Sequence, residues 1–243
     1  MPQLPISLEM LALASLIVFV GAMVQGSIGF GLGTLGVPLL LLIHPPFVPA
    51  PMLLLAFVLT VTVFLKERRS VSGFEIGWGV VGRLIGAFLG ALLVGLVSQD
   101  SLTLIAAGLV FVALALVQSG LSVPITRLNL VAAGTLSGFM GTTSSIGGPP
   151  MGLMYAGQKG PRVRGTLSGI FVAGTLSALF ALWTVGKFGV EEVKLCALLL
   201  PAVLLGIVAS RYTAKYLDSG FLKPAIMLVS GAAASIILVR HFF

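Results

Sequence analysis

The chain has 243 residues, 58% of them hydrophobic and 9% charged, with a formal charge of +7 and one cysteine, Cys196. Soluble domains carry about 25% charged residues, so this composition excludes a water-facing globule and suits a lipid-facing one, and a lone cysteine excludes an internal disulfide. The basic residues sit in short clusters between apolar runs, without interleaved aromatics, which reads as membrane orientation and not as a nucleic-acid surface.

In chain order, the first apolar run, residues 7–26, follows Glu9 and no basic residue. It lacks the positive start and small-residue cleavage site of a signal peptide, so it is expected to stay as a membrane helix. A glycine-rich stretch follows, with Gly29, Gly31 and Gly33 flanked by Gln25, Ser27 and Thr34, leading into a short apolar segment at 31–44. Spans of membrane length, about 20 residues, are expected at 47–65, 74–97, 101–119 and 128–143. Arg83 lies about 13 Å into the span 74–97 at 1.5 Å per residue, near the bilayer middle. An arginine there costs about 2.5–3.5 kcal/mol and normally faces a bundle interior or a pathway. A second glycine-rich stretch carries Thr142, Thr143, Ser144, Ser145, Gly147 and Gly148 and opens a short segment at 147–157. Three more spans complete the chain at 165–186, 193–212 and 221–240.

Eight segments are therefore long enough to cross, and two are short. If the short ones do not cross, the loops divide Lys and Arg without bias. If both cross, Lys66, Arg68, Arg69, Arg127, Lys159, Arg162, Arg164, Arg211, Lys215 and Lys223 share one side, against Lys187, Lys194 and Arg240 on the other. Cytoplasmic loops are the basic ones, which favours ten crossings with both termini outside the cytoplasm. Short half-helices can cross where protein or a watery cavity surrounds them.

The chain also repeats. Gly26-Ser-Ile-Gly-Phe-Gly-Leu-Gly-Thr-Leu-Gly-Val-Pro38 aligns with Gly138-Phe-Met-Gly-Thr-Thr-Ser-Ser-Ile-Gly-Gly-Pro-Pro150 at an offset of 112, matching Gly26, Gly29, Gly36 and Pro38 to Gly138, Gly141, Gly148 and Pro150. Leu84 and Gly86 match Leu204 and Gly206 more weakly at an offset of 120. Five crossings per half would invert the second half relative to the first. Inverted repeats with helices broken in matching places mark secondary transporters.

The breaks free backbone N–H groups that, with the hydroxyls of Thr142 to Ser145, could bind an oxyanion. Arg83 would supply positive charge. Acidic residues map to span ends or loops, which argues against a cation as substrate and against a deep carboxylate relay. No nucleotide motif, catalytic constellation or metal-ligand cluster is present, so no enzyme, cofactor or metal is expected. Arg162 and Arg164, after the second break, could guide anions, but fit an orientation role better.

The paired breaks ending in Pro38 and Pro150, the two-half layout, the length and the run Gly82-Arg-Leu-Ile-Gly-Ala-Phe-Leu-Gly90 resemble the TauE/SafE family of bacterial sulfite and organosulfonate exporters. The resemblance covers essentially the whole chain. The second break departs from the first by carrying Thr143 and Ser145 where the first has Gly31 and Gly33. The resemblance implies gradient-driven export of a small sulfur-containing anion.

The expected molecule is thus an all-α bundle in a bacterial inner membrane, with two inverted five-helix repeats at 1–122 and 123–243. Its substrate site would combine Arg83, Gln25, Gly29, Gly31, Gly33, Thr142, Thr143, Ser144, Ser145, Gly147 and Gly148, and one repeat would rock against the other. Its partners would be a small anion (sulfite or a sulfonate) and the lipid bilayer, with a proton as candidate coupling ion, a homodimer as candidate assembly and no nucleic acid. A passive anion channel and a non-catalytic membrane subunit are the alternatives.

Overall fold

The computed structural model describes residues 6–28, 31–158, 160–217 and 222–242. Among these, the regular structure is helical. The helices are α1 (Leu8–Ile28), α2 (Leu32–Ile43), α3 (Ala50–Glu67), α4 (Gly73–Leu96), α5 (Gln99–Gln118), α6 (Arg127–Ser144), α7 (Gly148–Met154), α8 (Pro161–Thr184), α9 (Val190–Leu217) and α10 (Leu222–Phe242). Local chemistry sets several starts. Ser72 accepts from the Glu75 N–H in front of α4, Ser98 from the Ser101 N–H in front of α5, and Thr126 from the Asn129 N–H in front of α6, each filling a donor that the first turn leaves open. Pro161 stands at the start of α8, where its missing N–H costs nothing.

Seven of the helices, α1, α3, α4, α5, α8, α9 and α10, are long and apolar enough to cross a membrane. The chain is a multi-pass membrane protein. The expected span at 128–143 falls outside this set. It forms α6, of 18 residues, but Asn129, Thr135, Ser137, Thr142 and Thr143 make it too polar to count by hydropathy. The two short segments are helices of 12 and 7 residues, rising about 18 and 10 Å. Neither alone bridges a hydrocarbon core of about 30 Å.

The helices pack in matched pairs. α4 runs along α6 as α1 runs along α9; α4 meets α8 as α9 meets α3; α2 meets α10 as α7 meets α5; α1 meets α2 as α6 meets α7; and α3 lies on α8 and α5 on α10. Exchanging the first five helices for the last five, in order, maps these pairs onto one another. The tightest pair, α4–α6, closes through glycines. A Cβ at Gly82 would overlap the Val131 carbonyl oxygen, one at Gly86 the Thr135 carbonyl oxygen, and one at Gly138 the Arg83 carbonyl oxygen. Small residues allow such backbone approach where lipid supplies no hydrophobic drive between helices. The opposite face of α4 exposes Leu84, Ile85, Phe88, Leu89 and Leu92, an apolar surface of the kind a bilayer covers.

Candidate functional site

The two chain breaks touch. The first ends at Gly31, whose φ of 148° lies where side chains are strained. α2 then begins with its Gly33 against the second break, since a Cβ there would stand 2.6 Å from the Ser145 carbonyl oxygen. The second break follows Ser145, the one described non-glycine residue with positive φ, 60°. Its N–H closes α6 on Gly141, and its hydroxyl donates to the Pro49 carbonyl at 2.8 Å. Ser145 thereby ties the break to the start of α3.

Between the breaks lies a cavity of about 70 Å³, room for a few waters. Gln25 lines it from α1, and Gly31, Gly33 and Thr34 from the first break and the start of α2. Leu53, Ala56 and Thr60 line it from α3, Arg83 from α4, and Phe171 and Thr175 from α8. Gly141 from α6, Ser145 to Gly148 and Pro149 complete the wall. Of the proposed site residues, Arg83, Gln25, Gly31, Gly33, Ser145, Gly147 and Gly148 thus converge on one space. Gly29 lies outside the described residues.

Thr142, Thr143 and Ser144 do not line this cavity. All three are fully buried. Thr143 donates to the Phe139 carbonyl at 2.8 Å and Ser144 to the Met140 carbonyl at 2.8 Å, each one turn back along α6. Thr142 faces Gly90 of α4, and its hydroxyl has no partner among the described residues. Consecutive residues on a helix point about 100° apart, so the run is spread around α6 and only Ser145, just past its end, reaches the cavity.

The backbone donors are fewer than two open breaks would leave. The side-chain oxygen of Gln25 accepts from the Leu32 N–H at 3.0 Å, filling one of the free donors of α2. Pro149 and Pro150 remove two N–H groups from the first turn of α7. Charge therefore comes from Arg83, which is 2% exposed. Its Nη1 donates to the Ser137 hydroxyl at 2.6 Å, its guanidinium carbon sits 4.9 Å from the centre of the Phe171 ring, and its Nε has no partner. No ion pair among the described residues involves Arg83. A buried donor left unpaired costs about 1–3 kcal/mol, so a positively charged, incompletely satisfied group lies on the wall of a small cavity that no described carboxylate lines.

Arg162 and Arg164 do not reach this cavity. Arg164 pairs with Glu67 at 2.8 Å. Arg162 pairs with Glu75, which also accepts from the Tyr155 hydroxyl at 2.7 Å. Glu75, expected at a span end, is in the first turn of α4 but is only 3% exposed. It binds α4 to the end of α7 and the start of α8.

Sequence reasoning did not single out Thr60, Thr175, Phe171 or Ser137. The threonines are 115 apart in sequence, between the two repeat offsets of 112 and 120, and carrying the repeat through α3 and α8 would have paired them. Ser137 stands opposite Gln25 at the offset of 112, so the same repeat, extended one residue before Gly26 and Gly138, would have pointed to it.

A family model described as sulfite exporter TauE/SafE matches residues 13–237. No curated protein and no solved structure matches the chain.

Proposed function

The chain belongs to the TauE/SafE family of sulfite exporters, and from that premise we propose that it carries a small sulfur oxyanion, sulfite or an organosulfonate, across a bacterial inner membrane, with Arg83 as the charge that holds the anion. The observation that carries this is the buried guanidinium, with an unpartnered Nε, on the wall of the cavity where the two breaks meet. A fixed guanidinium fork fits oxyanions geometrically. The remaining contacts come from the N–H groups of Gly33 and Thr34 at the start of α2 and from the Thr175 hydroxyl. The Thr60 hydroxyl donates to carbonyls of its own helix and offers the cavity acceptor lone pairs only.

The interchangeable helix pairs support a division into repeats at 1–122 and 123–243. Ten crossings, with the second repeat inverted, follow if each break and its short helix together traverse the membrane. The moving parts, however, are not whole repeats. α4 of one half is locked to α6 of the other, and α1 to α9, so alternating access is a movement of the α4–α6 pair relative to the α1–α9 pair, with α3 and α8 between them. A small cavity walled by both breaks favours this over a passive anion channel. The family's exporter description favours transport over a non-catalytic subunit.

The test is sulfite flux in proteoliposomes, with Arg83→Ala alongside. Saturating flux that Arg83→Ala abolishes, in protein whose melting temperature stays near the parent's, is the expected result. Flux unchanged by Arg83→Ala removes the anion site; flux that never saturates makes the protein a channel.

A further inference from the structure

Arg83 does not stand alone in its slot. Ser137, on α6, is fully buried and sits between the guanidinium and the second break. A hydroxyl has one hydrogen. Ser137 spends it on the Gly147 carbonyl and accepts from Arg83 Nη1. The direction of the chain is thereby fixed: guanidinium to hydroxyl to backbone carbonyl. Each link polarises the next, and the low dielectric strengthens all of them.

The packing leaves no slack. A Cβ at Gly147 would stand 2.9 Å from Arg83 Nη1 and 2.8 Å from the Ser137 carbonyl oxygen, and a Cβ at Gly174 would occupy the place of Arg83 Nε. Two glycines and a serine therefore form a socket of one shape around the guanidinium. Ser137 is the only member of that socket for which a hydrogen bond to the guanidinium is seen.

Resting on the anion-site reading above, we propose that Ser137 is a positioning residue for substrate binding. It does not meet the anion. It holds the Arg83 guanidinium against the second break so that the unoccupied part of its fork keeps one direction. The ligand chemistry this favours is an oxyanion with two oxygens on one centre, because a fixed fork recognises such a pair and a loose one acts as a point charge. Gly147 is at once the carbonyl that Ser137 grips and part of the cavity wall, so the same serine ties the position of the charge to the shape of the break.

The test separates positioning from packing. Ser137→Cys keeps the branching of the side chain, with a somewhat larger atom, but replaces the hydroxyl with a weak hydrogen-bonding thiol; Ser137→Ala removes the polar atom at nearly unchanged volume. Sulfite affinity is read by calorimetry or thermal shift on the purified full chain in detergent, and the ligand-free melting temperature is read on the same samples. The expected result is a Kd weakened about tenfold in Ser137→Cys while its melting temperature stays within a few degrees of the parent. Ser137→Ala should weaken the Kd at least as much. If Ser137→Ala does not fold, Ser137→Cys carries the test alone. Parent-like sulfite affinity in Ser137→Cys overturns the proposal. So does an affinity that falls only in step with the melting temperature. Arg83→Ala is measured beside them: if it abolishes sulfite binding while Ser137→Cys leaves binding unchanged, the anion site stands and only the positioning role falls.

Discussion

Arg83 is the one charged side chain among the described residues on the cavity wall, and its surroundings decide what that charge can do. With Nη1 held by Ser137 and the guanidinium over Phe171, the group is ordered before any ligand arrives. Ordering in advance lowers the entropy lost on binding. Two substitutions probe this neighbourhood from opposite directions. Gln25→Glu retains the acceptor that caps the Leu32 N–H but places a carboxylate on the wall, and should weaken sulfite binding by tenfold or more, about 1.4 kcal/mol, as read by calorimetry. Thr142→Val removes a buried hydroxyl without a partner, and should leave sulfite binding unchanged and stability equal or higher by up to about 1 kcal/mol, as read by thermal unfolding. The second expectation reverses what the run Thr142 to Ser145 suggests in sequence. Four adjacent hydroxyls look like one polar surface, but a helix sends them in different directions.

At the scale of elements, the contact of α4 with α6 depends on the absence of side chains. Gly77 and Gly86 lie on the same helix in different settings: a Cβ at Gly77 would meet nothing within 4 Å, whereas one at Gly86 would overlap the Thr135 carbonyl oxygen. Gly77→Leu is expected to yield folded protein at near-parent levels. Gly86→Leu must push α4 off α6 and should yield little or none, as judged by size-exclusion profiles after detergent extraction. The breaks are elements of a similar kind. Glycine at 31 and proline at 149 and 150 mark them in the sequence, because glycine accepts a positive φ at little cost and proline withholds an N–H, whereas Pro38 falls inside α2 and the left-handed turn is taken by Ser145. Where the freed N–H groups go was not legible, since Gln25 caps Leu32 across seven residues through a contact that exists only once the chain has turned.

For the whole molecule, the proposed movement of the α4–α6 pair against the α1–α9 pair can be tested through the packing between helices. A Cβ at Gly90 would stand 2.9 Å from Thr142 Cβ, and one at Gly165 would stand 3.1 Å from Glu67 Cβ, both near the span of a disulfide after small adjustment. Oxidising a Gly90→Cys, Thr142→Cys pair joins α4 to α6 and should leave sulfite flux near the reduced value. Oxidising a Glu67→Cys, Gly165→Cys pair joins α3 to α8 and should stop it, with flux restored by reductant. Loss of flux in the first pair would mean that the two repeats move as whole units. Topology is tested separately. Impermeant thiol labelling of single cysteines placed near both termini, in cells and in inverted vesicles, should report both ends outside the cytoplasm if the chain crosses ten times.

By itself the sequence determined that this chain lives in a membrane, that it is helical, that it breaks twice in matching places, and to which family it belongs. Those properties follow from composition, from the length of apolar runs and from glycine and proline, which act locally and are readable residue by residue. Only the tertiary structure decided which candidates share a space. It brought Gln25, Gly33, Arg83, Ser145 and Gly147 from three helices and the second break to one cavity, turned Thr142, Thr143 and Ser144 away from it, set Ser137 behind the guanidinium, and exchanged partners between the halves. These outcomes depend on side-chain direction and on contacts between residues distant in the chain, for which a linear pattern carries no physical signal.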